Sequence, residues 1–468
     1  MNFNLLRPRA RTADSQQTRM EWIAFAAVLG LYTIIQCINI GHAGHKGQDW
    51  DTHLKWLHQA AMDPWDWLQG NFFQTDPPLY HLVMAPWLWL LRPRLAYEVM
   101  GLVNVLISLA SLIVFWKILV ILVESTWIRF AALLSVTFLP ASVIGSVVIA
   151  SDAFCQLPVC LLGLCFVLYA SDKIRWHNAL LIGTVVVAFA VSLRATAIVL
   201  VPAFVLGLGV IARIRKSWSV SFFVSLALSA LVTGSLGLYW NFRNPSHVTF
   251  NFQWSTPAGQ RPPKQMNLRS ALFFRSGDLT FFDAPSAWLL YEEDLPKSLR
   301  ASNTLSYPGL LWLSLHTDIL NVLQPHKTIF AHGYIGQRTT FARRISKVSV
   351  AIGFVTFWVA LIAVALAAVR ALSLYLVRGE RISAAILGIL ILGGGWLATL
   401  TTIMLTVRYS YLYQYWHPRL ILPAVILFAI PAAWIFAQWF EGRRRLQLAL
   451  LAGTACQAVV HILVLLAR

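Results

Sequence analysis

Apolar runs of roughly 17–25 residues recur from one end of this chain to the other, each long enough to cross a hydrocarbon core as a helix. The fold class expected is therefore an all-α polytopic membrane protein. Only 12% of the 468 residues are charged, where a soluble domain carries about 25%. The formal net charge of +18 is then accounted for by Lys and Arg flanking cytoplasmic helix ends and meeting lipid phosphates. Nucleic acid is not an expected partner; membrane lipids are.

Counting charges fixes the expected order of crossings. A basic tail (Arg7, Arg9, Arg11, Arg19) precedes the first run, 21–40, and sends it outward. That run is longer than a signal-peptide core, so it reads as a retained helix. The piece Leu79 to Leu91 is too short to span and reads as re-entrant or lying on the surface. With that piece left out, spans fall at 97–123, 127–148, 153–170, 178–193, 196–212, 218–240, 348–369, 382–407, 417–440 and 447–467. The basic stretches SDKIRWH (171–177), RIRK (213–216) and Arg443–Arg445 then all lie inside. The expectation is a bundle of about 11 transmembrane helices in three parts. Residues 1–240 form an N-terminal membrane module with a first outer loop at 41–78. Residues 241–346 form an outer loop or cap, and 347–468 the closing helices. Within the loop, GLLWLSLHTDILNVL (309–323) reads as a surface helix leaning on the bilayer.

This bookkeeping gathers the polar residues that an apolar chain has least reason to carry. The first outer loop holds Asp49, Asp51, Asp63 and Asp66, and Asp76 closes it, five of the 19 acidic residues. Asp152, Arg194, Arg408, His417 and Arg419 are assigned to the same outer face. Carboxylates at a membrane rim mark either a site or a solvated helix cap. Asp49 and Asp51 suit a general base, and equally the first turn of a short amphipathic helix. Asp152 is a second site carboxylate, unless this is simply an N-cap made by Ser151 or Asp152. Arg194, inside AVSLRATAIVLVP, needs an anion or a path to water; its planar fork suits phosphate, and snorkelling is the ordinary alternative. Tyr409, Tyr411, Tyr413 and Trp416 read as an interfacial aromatic belt.

His42 and His45 could pair with the aspartates around a divalent ion, but two histidines in a glycine-rich loop are slender grounds, and no metal or other cofactor is expected. Cys155, Cys160 and Cys165 read as small core residues. No cysteine and no glycosylation sequon falls in the long loop, which leans toward a bacterial inner membrane with the site facing outward. There is no phosphate-binding loop of the Walker type, no G-x-S-x-G elbow and no H-E-x-x-H helix. Nothing in the sequence therefore supports ATP-driven work or zinc proteolysis.

Taken in order, these segments resemble the GT-C superfamily of glycosyltransferases, which use polyprenyl-phosphate sugars. The nearest flavour is that of the protein O-mannosyltransferases and lipid A aminoarabinose transferases. PPLYHLV (77–83) resembles the family's Pro-Pro-Leu-Tyr helix. QDWDTHLKW (48–56) resembles its acidic start, with Trp50 where Glu is usual, so the resemblance does not choose between Asp49 and Asp51. ASDAFCQLPVCLLGL (150–164), SLRATAIVLVPAF (192–204) and HPRLILPAVILFAI (417–430) resemble its second carboxylate helix, its Arg/Lys-x-Thr-Ala segment and its closing Arg-Tyr-Leu-Leu-Pro helix. The resemblance implies a polyprenyl-phosphate or polyprenyl-diphosphate sugar as donor and a glycan, lipid or protein hydroxyl as acceptor. It implies catalytic roles for Asp49, Asp51 and Asp152. His53, Asp76, Tyr80, Arg194, Arg408, His417 and Arg419 would contact substrate. A multi-pass transporter or flippase is the rival; it would favour paired repeats and polar groups at mid-membrane, and no repeat is visible.

Overall fold

The computed structural model describes residues 14–43, 50–69, 77–149, 151–242, 307–316, 340–406 and 421–467, and every regular element among them is helical. The chain opens with α1 (Asp14–Ala43), two short helices α2 (Trp50–Met62) and α3 (Pro64–Gln69), and two more, α4 (Leu79–Met84) and α5 (Pro86–Leu90). Then come α6 (Pro93–Leu122), α7 (Thr126–Thr137), α8 (Pro140–Val147), α9 (Asp152–Ala170) and α10 (Trp176–Leu193). A 3-10 turn at Ala195–Val199 leads into α11 (Leu200–Ile214) and α12 (Val220–Phe242). The last five are α13 (Tyr307–His316), α14 (Thr340–Arg378), α15 (Arg381–Thr406), α16 (Leu422–Trp439) and α17 (Arg444–Leu466).

Among the described residues nine helices are long and apolar enough to cross a membrane, or ten if one bent pair counts as a single span. The chain is thus a multi-pass membrane protein, with fewer qualifying spans than the eleven expected. Two spans differ from expectation for a readable reason. The run 127–148 is broken: α7 and α8 meet at 55°, because Pro140 has no N–H to give and sits at the first position of a new helix. The run 348–369 is only the middle of α14, whose 39 residues rise about 58 Å, well beyond a 30 Å core. Leu79–Leu90 stays short, as expected, and is split at Ala85 ahead of Pro86.

Helix ends follow local chemistry. α6 starts on Pro93 after an extended Arg92. The Ser125 hydroxyl accepts from the Ile128 N–H at the start of α7. Where helices must approach closely, glycine makes room: a Cβ on Gly207 would lie 2.5 Å from the Phe166 ring, and one on Gly388 2.8 Å from it. The rings of Phe166 and Phe204 stack 6.2 Å apart there, joining α9, α11 and α15. In lipid such van der Waals fit, rather than expulsion of water, holds helices together.

The bundle has two distinct ends. α1 and α6 run antiparallel: Phe25 stacks on Trp116 at 4.9 Å, Tyr32 Oη meets Ser108 Oγ at 2.8 Å, and Ile40 touches Gly101. One end carries closed ion pairs. Arg129 Nη2 donates to Glu21 Oε1 at 3.1 Å, and Asp172 pairs with both Arg215 and Arg381. α9 and α10 lead from and to the opposite end, where Ser151 and Arg194 meet.

α13 departs from expectation most. Instead of leaning on the bilayer, it is packed among α8, α14 and α17. Leu311, Trp312, Leu313, Leu315 and His316 are buried. Trp312 Nε1 donates to the Val350 carbonyl at 3.1 Å, Ser349 Oγ donates to the His316 carbonyl at 2.6 Å, and the His316 and His461 rings share a bond at 3.2 Å.

Candidate functional site at the Arg194 end

Pro77 and Pro78 launch α4 in a fixed direction and put Tyr80 and His81 inside; both are fully buried. The Tyr80 ring meets Phe154 of α9 edge to face, centroids 5.3 Å apart. His81 stands between Trp56 of α2 at 5.4 Å and Trp67 of α3 at 5.3 Å, both edge to face. This aromatic cluster presses the first-loop helices onto the bundle. Trp89 Nε1 adds a bond to the Ala61 carbonyl at 2.6 Å, and His58 Nε2 and Tyr97 Oη lie 3.2 Å apart. α2 carries Asp51 and His53 in its first turn. It packs on α4, which in turn touches α10.

The start of α9 supplies the second side. Ser151 precedes the helix with helical torsions, φ −63° and ψ −18°, and its side chain does not cap. Its hydroxyl instead accepts from Arg194 Nη1 at 3.1 Å. Arg194 ends α10 in an extended conformation, its N–H bonded to the Ala190 carbonyl at 3.0 Å. A cation at a helix C-terminus is favourable, and here the same guanidinium reaches the N-terminus of a 19-residue helix, itself partly positive. The guanidinium and the partly positive N-terminus of α9 therefore meet where Asp152 begins α9. Arg194 does not snorkel outward; it is half-buried and turned onto α9.

Of the residues singled out from the sequence, the structure brings together Tyr80, Arg194 and the backbone of Asp152, with α2 and its Asp51 and His53 behind α4. Asp49, Asp76, Arg408, His417 and Arg419 lie outside the described residues, as do His45 and the aromatic belt at 409–416. The side chains of His42, Asp51, His53 and Asp152 are likewise outside the description. Sequence reasoning saw in Ser151 only a helix cap and passed over two further polar residues. Ser151 carries the arginine. Gln156, one turn past Asp152, is buried, and its Nε2 has no partner among the described residues. The Thr196 hydroxyl, two residues past Arg194, is also buried without one. Both offer hydrogen bonds that a ligand or water would complete. The one available signal was spacing: Gln156 stands four residues after Asp152, on one helix face.

No protein-family model matches the chain, and no curated protein matches it with significance. Solved structures similar to it include two of one protein. One is ArnT from Cupriavidus metallidurans in the apo state, at 12% identity and a TM-score of 0.40, covering 96% of this chain and 78% of that one. The other is the same ArnT bound to undecaprenyl phosphate, at 13% identity, with the same TM-score and coverage.

Proposed function

We propose that this chain is a membrane glycosyltransferase of the GT-C kind, moving a sugar from a polyprenyl-phosphate or polyprenyl-diphosphate carrier to an acceptor hydroxyl at the outer face of a bacterial inner membrane. The observation that carries the reading is Arg194 Nη1 on Ser151 Oγ at 3.1 Å. A guanidinium and a helix N-terminus share one spot beside a carboxylate-bearing residue, on segments that resemble that superfamily in order and content.

In this reading Arg194 grips the lipid phosphate with its fork and stabilises the charge that grows there as the glycosidic bond breaks. Asp49, Asp51 or Asp152 takes the proton from the acceptor hydroxyl as its oxygen attacks the anomeric carbon. Attack opposite the leaving phosphate inverts that carbon. The buried Gln156 amide and Thr196 hydroxyl are placed to bond sugar or phosphate oxygens. Arg408, His417 and Arg419 would add to the phosphate grip, and His53, Asp76 and Tyr80 to the sugar. The donor is already activated, so the reaction draws on no nucleotide.

The test is direct. Undecaprenyl phosphate, bound by the ArnT named above, is titrated into the purified full-length protein in detergent. Arg194→Ala is expected to weaken binding by about tenfold or more, as loss of a charged hydrogen bond does. Undiminished affinity in that variant overturns the phosphate role. Mass spectrometry of cell-envelope glycans and lipids, with and without the gene, would name the sugar and the acceptor.

A further inference from the structure

The turn that carries Ser151 hangs on a buried amide far from the chemistry. α8 ends at Val147 and the chain runs extended through Val148, with φ −81° and ψ 137°. The Val148 carbonyl is held by Asn104 Nδ2 of α6 at 2.7 Å. Three peptide steps lead from Val148 to Ser151, at most about 11 Å of chain, so fixing one confines the other. Just below, Ser146 receives the Gln36 amide at 2.5 Å and lies 3.0 Å from Tyr32 Oη, both on α1. α8 is thus clamped to α1 and α6 by side chains at the level where the corner forms.

This clamp is an odd choice if stability were its only purpose. Gln36, Asn39 and Asn104 are all fully buried, and Gln36 Oε1, Asn39 Oδ1 and Asn104 Oδ1 have no donor among the described residues. Half-satisfied buried amides are destabilising relative to an apolar side chain of the same size. The donor half of Asn104, by contrast, meets a backbone carbonyl left over at a helix end, one that no helical N–H reaches. We infer that Asn104 is a positioning residue: through the Val148 carbonyl it sets the α8–α9 corner, and through Ser151 the place of the Arg194 guanidinium. This rests on the phosphate role given to Arg194 above.

Asn104→Leu separates positioning from mere packing, because leucine fills the space, removes the orphan oxygen and cannot bond Val148. Undecaprenyl phosphate is titrated into wild type, Asn104→Leu, Arg194→Ala and the double variant, with thermal unfolding recorded for each. Expected for Asn104→Leu is an unfolding temperature at or above wild type together with a weakening of binding by roughly three- to tenfold, the worth of a neutral hydrogen bond or two. In the double variant binding is no weaker than in Arg194→Ala alone, since the amide acts only through the arginine. Asn104→Ser, which keeps a shorter donor, recovers part of the loss, and stands in should the leucine variant not fold. Wild-type affinity in the folded Asn104 variants overturns the inference, as does a loss that adds in full to that of Arg194→Ala. If Arg194→Ala binds normally while Asn104→Leu does not, it is the phosphate role itself that fails.

Discussion

The two ends of this bundle are closed by different chemistry. At one end carboxylates and guanidiniums pair directly: Glu21 with Arg129, and Asp172 with Arg215 and Arg381. At the other end the corner before α9 is held by an amide on a carbonyl and a hydroxyl under a guanidinium. A closed ion pair fixes helix ends but has spent its charge. A guanidinium that reaches a serine at a helix N-terminus stands instead where backbone N–H groups also face outward from the helix end. On the function proposed above, the same residue type serves as a bolt at one end and as a grip at the other.

Substitutions can break that contrast, and the largest effect is expected at the grip. Whichever of Asp49, Asp51 and Asp152 is the base, its change to Asn should lower sugar transfer by roughly 10²–10⁴, the range for a general base, with an unchanged unfolding temperature; normal turnover in all three variants would strip this end of its carboxylate chemistry. At the other end the expectation reverses. Glu21→Ala leaves Arg129, with a side chain only 10% exposed, as an uncompensated buried charge. That should cost about 3–5 kcal/mol, seen as a lower unfolding temperature, while undecaprenyl phosphate still binds. Recovery in Glu21→Leu/Arg129→Met would mark the pair as a bolt; a fall in lipid affinity instead would erase the distinction between the ends. Smallest is Asp172→Asn. Its side chain is 43% exposed, so its pairs are screened and worth about 1 kcal/mol or less; a larger shift would mean that the three turns it joins unfold together.

Much of the fold could be read because charges bracket apolar runs. α10 and α15 begin and end within two residues of the expected limits. What could not be read depended on partners distant in sequence. Pro140 inside an apolar run is tolerated in membrane helices, so the sequence alone did not show that the helix would break there. Lys347 and Arg370 looked like boundaries and are instead interior to α14, since both are good helix formers. The burial of α13 requires His461, contributed by the last helix, and Gly353, where a Cβ would come within 2.3 Å of the His316 ring. At the candidate site, the meeting of Arg194 with the start of α9 followed from counting crossings. The roles of Ser151, Gln156 and Asn104 did not, because the direction of a polar side chain inside a bundle is set by neighbours that composition does not name.

The placement of α13 has a mechanical corollary. α13 is wedged against α8 and α14, and its His316 meets His461 of the last helix, so a change that dislodges His316, such as a Cβ at Gly353, would unload the very helix that leads into the Ser151 corner.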